Sequence, residues 1–191
     1  MKTLEKIRNC KKCKLCCNQR PLMDRCSECQ VLWVGLSAKK ATYDDEMPLS
    51  IKTNSGAVIH EVEMLLEDVK CYKTNLVKCL PLDEKSKLRY PNQKEIDACF
   101  VNLEEEIAEL SPKIVFLLGE KVYSSVGRHF NLTFDKLDGF NYNYVQHENV
   151  CYVPIQHPSY IYVYKRKEMK HYINGIKQIA QTILESYGGN S

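Results

Sequence analysis

Three groups of residues in this chain are suited to chemistry. The stretch Thr74-Asn75-Leu76-Val77-Lys78-Cys79-Leu80-Pro81 sets a carboxamide, an ammonium and a thiol just past an apolar run. Asn75 can both donate and accept, which suits reading the edge of a nucleobase. Lys78 offers a cation and Cys79 a metal thiolate. A second stretch, Gln156-His157-Pro158-Ser159-Tyr160, offers an imidazole and a hydroxyl. The third group is cysteine: of ten in the chain, Cys10, Cys13, Cys16, Cys17, Cys26 and Cys29 fall in residues 2–30. Each group also has a plainer reading. An Asn at a strand exit can cap a turn, a His-Pro is a common turn, and Cys71 and Cys151, inside apolar runs, read as packing residues.

The elements that must position these groups alternate. Val31-Leu-Trp-Val-Gly-Leu36 is a continuous apolar run that predicts a buried strand ending near Gly35. The loop from Ser37 to about Thr53 holds Tyr43-Asp44-Asp45-Glu46-Met47-Pro48-Leu49, and at 17 residues it is longer than a plain connection needs. Thr53-Asn54-Ser55 supplies a helix cap, followed by a stripe of Val58, Ile59, Val62, Leu65, Leu66 and Val69. After the Asn75 strand and a polar loop, Ile96, Cys99, Phe100, Leu103, Ile107 and Leu110 recur at helical spacing. Lys113–Leu118 predicts a further strand with a Gly119 exit, then a short helix to about Arg128. Residues 130–148 read as a loop with one edge strand at most, Val150–Ile155 as the fourth strand, and the remainder as one long helix with Ile173, Ile176, Ile179 and Ile183 inward, ended by Gly188-Gly189. Such alternation predicts an α/β fold, a three-layer α/β/α sandwich around a four-stranded, mainly parallel sheet. The strand exits Gly35-Leu36-Ser37, Asn75–Cys79 and His157-Pro158-Ser159 then converge, where ligands of open parallel sheets sit.

At 191 residues the chain suits a single domain, residues 1–191, with 1–30 as a Cys-rich metal-binding segment that gains its order from the metal. No run is long and apolar enough to span a membrane, and the charged start lacks a signal-peptide core. Both point to the cytoplasm. A reducing compartment makes clustered cysteines metal ligands rather than disulfides. Cys13-x-x-Cys16 and Cys26-x-x-Cys29 have paired zinc-ribbon spacing, so zinc is one candidate and an iron–sulfur cluster another. A net charge of +3 permits nucleic-acid binding without requiring it. The run Lys165, Arg166, Lys167, Lys170, His171 reads equally as a solvated helix face or a DNA-phosphate patch.

Taken in order, these motifs resemble the uracil-DNA glycosylase superfamily, and within it the iron–sulfur branch. The resemblance rests on Cys10-Lys11-Lys12-Cys13-Lys14-Leu15, Thr74–Pro81, Glu95-Ile96-Asp97-Ala98-Cys99, Leu118-Gly119 and His157-Pro158-Ser159-Tyr160. It implies a [4Fe–4S] cluster held by Cys10, Cys13, Cys79 and Cys99, with a structural role, and zinc as the alternative. Two motifs depart from the family pattern. Its first motif places an acid where this chain has Leu36, in Gly35-Leu36-Ser37-Ala38-Lys39, and its stacking Phe after Pro is Leu49 here. Tyr43 could replace the stacking ring, or Leu49 could open the pocket to a bulkier base.

The resemblance implies a DNA glycosylase, monofunctional, acting as a monomer on DNA. It would excise uracil or a modified pyrimidine and leave an abasic site. Gly35, Leu36, Ser37, Tyr43 and Leu49 would surround the flipped base and Asn75 would read its edge. His157 would stabilise charge on the leaving base. Ser159 would hold a phosphate and Ile161 would wedge into the emptied stack. Asp44 or Asp45 would position water or steady the sugar cation. Three alternatives stay open: a glycosylase for phage-type modified bases in antiviral defence, a non-catalytic DNA-binding member of the fold, and a zinc-ribbon interaction protein.

Overall fold

The computed structural model describes residues 2–43 and 46–188. Its strands are β1 Val31–Ser37, β2 Cys71–Val77, β3 Ile114–Leu118, β4 Val145–His147 and β5 Val150–Ile155. They form one sheet in the order β2-β1-β3-β5-β4, five strands rather than the four expected. β1, β2, β3 and β5 are parallel, and β4 is an antiparallel edge paired with β5. The fifth strand is the edge strand allowed within residues 130–148, left out of the count of four because three residues are too few to show alternation. Its Glu148-Asn149 turn, with Glu148 at φ 54°, closes a tight hairpin.

The parallel strands are buried on both faces, which is why they read as unbroken apolar runs. Helices α1 (Lys2–Arg8), α3 (Gln93–Leu110) and α4 (Glu120–Phe130) lie on one side; α2 (Asn54–Met64), α5 (Pro158–Tyr164) and α6 (Met169–Gly188) lie on the other. Phe100, Leu103, Val122 and Val126 cover Leu32, Val34, Tyr72 and Leu117 on the first face. Val58, Ile59, Val62, Tyr172 and Ile176 cover Val31, Trp33 and Phe116 on the second, where Trp33 stacks on Phe116 at 4.5 Å. Each buried side chain of this size contributes about 1.5–3 kcal/mol.

Two boundaries differ from expectation. Helix α2 stops at Met64, and Leu65 is exposed rather than part of the stripe. The predicted long C-terminal helix is broken at Lys165, whose backbone (φ −131°, ψ 36°) leaves the helix before a single 3-10 turn, Arg166–Glu168. The N-terminal segment also has protein packing of its own. Ile7 is fully buried, and the backbone N–H groups of Lys2 and Thr3 both donate to the Glu109 carboxylate at 3.0 Å. Among the described residues no helix is long and apolar enough to cross a membrane.

Candidate functional site

Parallel pairing sends the carboxyl ends of β1, β2, β3 and β5 to one edge of the sheet. A cleft of about 920 Å³ opens there. Its floor brings together Gly35, Leu36 and Ser37 from β1, Asn75 from β2, Gly119 after β3, and His157 and Ser159 after β5, with Leu49 on one wall. Gly35 and Asn75 are register partners across the β1–β2 pair.

Asn75 is buried, and its carboxamide forms no hydrogen bond with another described residue. Its amide atoms open onto the cleft, where a ligand can supply their partners. Gly35 makes room for it: a Cβ there would lie 2.5 Å from Asn75 Oδ1 and 3.3 Å from Leu49 Cδ2. Leu49 sits in the left-handed region at φ 51°, strained for a leucine, in the turn that follows Pro48. Gly56 of α2 packs against this turn, where a Cβ would meet Ser50 O at 2.0 Å. The Thr53 hydroxyl caps α2 by accepting from Gly56 N at 3.0 Å. The loop before it is held by a Lys39–Glu46 ion pair at 2.6 Å, and the Lys39 ammonium keeps the Glu46 carboxyl below its usual range.

His157 caps α5. Its Nδ1 accepts from Ser159 N at 3.3 Å and lies 2.8 Å from Ser159 Oγ. An accepting Nδ1 leaves the neutral ring's proton on Nε2, free to donate into the cleft. Burial lowers the imidazole pKa below its ordinary value, favouring that neutral form. Gly119, at φ 89°, passes close under the ring: a Cβ at this position would lie 3.2 Å from His157 Cβ. The Ser159 hydroxyl is engaged in orienting the imidazole.

Other expected residues lie elsewhere. Lys78 does not reach the cleft: it is buried in an ion pair with Glu106 of α3, and Glu106 also accepts from Tyr72 Oη (3.2 Å) and Thr74 Oγ1 (3.0 Å). Strand alternation carries this signal, since Thr74 leaves β2 on the face opposite Asn75. Tyr43 lies outside the cleft lining, exposed under Lys52, whose Nζ is 4.3 Å from its ring centre. Ile161 is fully buried against α2 and α6 and has no exposed face with which to wedge; its exposed neighbours are Tyr160, Val163 and Tyr164. Asp44 and Asp45 lie outside the described residues. The sequence reading missed Glu120, the one carboxylate among the described lining residues, and the rim formed by Leu88, Arg89 and Tyr90. The rim residues sit in a loop without periodicity, so no pattern marked them.

A second, small cavity gathers Cys10, Cys13, Cys16, Cys79 and Cys99. Asn102 Nδ2 donates to Cys99 Sγ (3.5 Å) and Cys10 Sγ (3.8 Å), and Lys78 N donates to Cys99 Sγ at 3.4 Å. Burial, reinforced by the neighbouring thiols, pushes Cys79 up to about 12. Cys26 and Cys29 stay outside this cavity, bonded to the Glu28 and Val31 carbonyls at 3.0 and 3.1 Å. The two zinc-ribbon pairs are thus not brought together. Among the described residues no group of three or more His, Cys, Asp or Glu side chains is set to hold a metal ion.

The model of the family described as the Uracil DNA glycosylase superfamily matches residues 27–180. The Type-4 uracil-DNA glycosylase of Sulfurisphaera tokodaii is 28% identical over 174 residues, covering 83% of this chain and 76% of that protein. Among solved structures, that of wild-type SMUG2 from Pedobacter heparinus aligns over 83% of this chain and 77% of its own, with TM-score 0.57 and 13% identity, a likeness of fold.

Proposed function

The chain belongs to the uracil-DNA glycosylase superfamily, and from that premise we propose that it hydrolyses the N-glycosidic bond of uracil or a modified pyrimidine in DNA, leaving an abasic site. The observation that carries this is the shared cleft: the unpartnered Asn75 carboxamide and the Nε2 edge of His157 line one opening. A flipped uracil presents an N–H and two carbonyl oxygens. The carboxamide can satisfy the N–H and one oxygen at once. The neutral imidazole donates to the oxygen that gains charge as the base leaves, and stabilisation of developing charge by a fixed donor in a dry site is a large catalytic effect. Asp44 or Asp45 takes the role of positioning water or steadying the sugar cation.

The thiol cavity has the donor set for an iron–sulfur cluster. Four soft thiolates from Cys10, Cys13, Cys79 and Cys99, with N–H donors aimed at two of the sulfurs, fit a [4Fe–4S] group. A cubane takes one thiolate on each iron, so the sulfurs need not converge on a point. Zinc requires all four within about 2.3 Å of one ion. When bound, the cluster would supply a rigid cross-link between the N-terminal segment, β2 and α3.

The test is excision from oligonucleotides carrying uracil or a modified pyrimidine, read as alkali-dependent strand cleavage. Asn75→Ala and His157→Ala should each abolish it. Cleavage that survives both substitutions defeats the site assignment. One departure from the family pattern favours a modified base over uracil: Leu49, which lines the cleft beside Gly35, stands in place of the family's stacking Phe. Leu49→Phe should then lower excision of the bulky base and spare uracil. A protein that binds DNA but excises neither would support the non-catalytic reading.

A further inference from the structure

Among the described residues, five of the eleven exposed large apolar side chains gather at the mouth of the cleft: Leu88, Tyr90, Tyr160, Val163 and Tyr164. They fall into two patches. Leu88 and Tyr90 come from the loop after β2, and the others from α5, which follows β5; two strands separate β2 from β5 in the sheet. Tyr90 and Tyr164 are 70% and 75% exposed. Concentrated exposed apolar surface of this kind marks a binding site.

The first patch is built to hold its shape. Arg89 Nε donates to Leu82 O at 2.9 Å, and its guanidinium forks onto Glu95 at 2.6 and 2.7 Å. Asp83 Oδ1 accepts from the backbone of Lys85 and Lys87, both at 2.8 Å. Lys121 lies 4.7 Å over the Tyr90 ring. In the second patch the Tyr160 and Tyr164 rings lie 5.5 Å apart; of the cations that follow in the chain, Lys165 pairs with Glu168 and Arg166 lies over the Tyr162 ring.

We propose that these two aromatic lips stack the bases on either side of the flipped nucleotide, and that the preferred substrate is therefore single-stranded DNA. This rests on the glycosylase reading above. A duplex with one base extruded offers a single gap, which one wedge fills, and its outer surface is phosphate and sugar. A second apolar patch across the cleft has nothing to bury against in that geometry. An unpaired strand offers a stacking face on both sides, and Lys121, which lines the cleft beside Tyr90, suits its backbone.

The experiment compares wild type with Tyr90→Ala, Tyr164→Ala and the conservative Tyr90→Phe. One readout is excision kinetics on oligonucleotides carrying uracil or a modified pyrimidine, each single-stranded and annealed to its complement. The other is fluorescence anisotropy with an oligothymidine strand, which needs no excision. The expected results are faster excision from the single strand, binding weakened about 5- to 150-fold by either alanine, and near-complete rescue by phenylalanine. Duplex excised at least as fast as single strand, or oligothymidine binding unmoved by both alanines, overturns the proposal. Absence of excision from either substrate, with binding still lost in both alanine variants, defeats the glycosylase reading and leaves the stacking surface standing.

Discussion

Gly35→Ala isolates the geometry of the cleft better than removal of a polar group does. The new Cβ would lie 2.5 Å from Asn75 Oδ1, about 0.9 Å inside the 3.4 Å at which ordinary contact begins. Gly35 has no positive φ and sits in β1, so alanine needs no backbone change. Loss of unfolded-chain freedom favours the variant by about 0.4–1 kcal/mol, and crowding against Leu49 Cδ2 opposes it, so stability should stay within about 1 kcal/mol of wild type. The carboxamide, in contrast, must move by close to an ångström. A displacement of that size in a positioned site costs about 100-fold in rate, or about 2.7 kcal/mol of barrier. The assay is single-turnover excision beside a thermal melt. Because both changes act through one amide, Gly35→Ala/Asn75→Ala should be no slower than Asn75→Ala alone. A well-folded Gly35→Ala protein with wild-type turnover would show that the amide's place is not what the cleft depends on.

Three further outcomes follow from the same contacts. Lys78→Met leaves Glu106 buried without its cation and should cost about 3–5 kcal/mol in denaturant unfolding, part of which Lys78→Met/Glu106→Gln recovers by removing the charge. His157 is held neutral by burial, so its protonation opposes folding: this contribution is complete above the usual imidazole range and is lost as pH falls through the lowered folded value. The excision profile should accordingly be flat through about 6.5, and an inflection there that disappears in His157→Asn contradicts the assignment. Cys79→Ala should abolish bound iron, acid-labile sulfide and visible absorbance and lower the melting temperature, whereas Cys151→Ala, in the β5 core, should keep all the iron.

Much of this arrangement was legible because its determinants are local or periodic. Apolar runs bounded by Gly and Pro gave the parallel strands, and parallel strands put Gly35, Asn75 and His157 at one edge whatever the loops do. What the pattern missed depends on long-range pairing. Nothing near Lys78 in sequence names Glu106, 28 residues on, as its partner. Ile161 follows a motif suggesting solvent, yet the helix that starts at Pro158 turns it inward, while Val163 and Tyr164 face out. Leu88 and Tyr90 looked like loop residues because their exposure is fixed by Arg89 reaching back to Leu82 and forward to Glu95.

Strand β2 and its exit join these features. Within six residues it gives Thr74 and Lys78 to Glu106, Asn75 to the cleft and Cys79 to the thiol cavity. The Lys78 backbone N–H also donates to Cys99, so α3 grips this segment twice, by a carboxylate on one side of Lys78 and a sulfur on the other. The Asn75 carboxamide has no hydrogen bond to another described residue, and its position is inherited from the strand pairing, from these two anchors and from Gly35. The thiol cavity therefore belongs to the same mechanical unit as the cleft. Disturbing either anchor should move the carboxamide before it unfolds the sheet, because the β1–β2 pairing continues back to Val31 and Cys71, away from both.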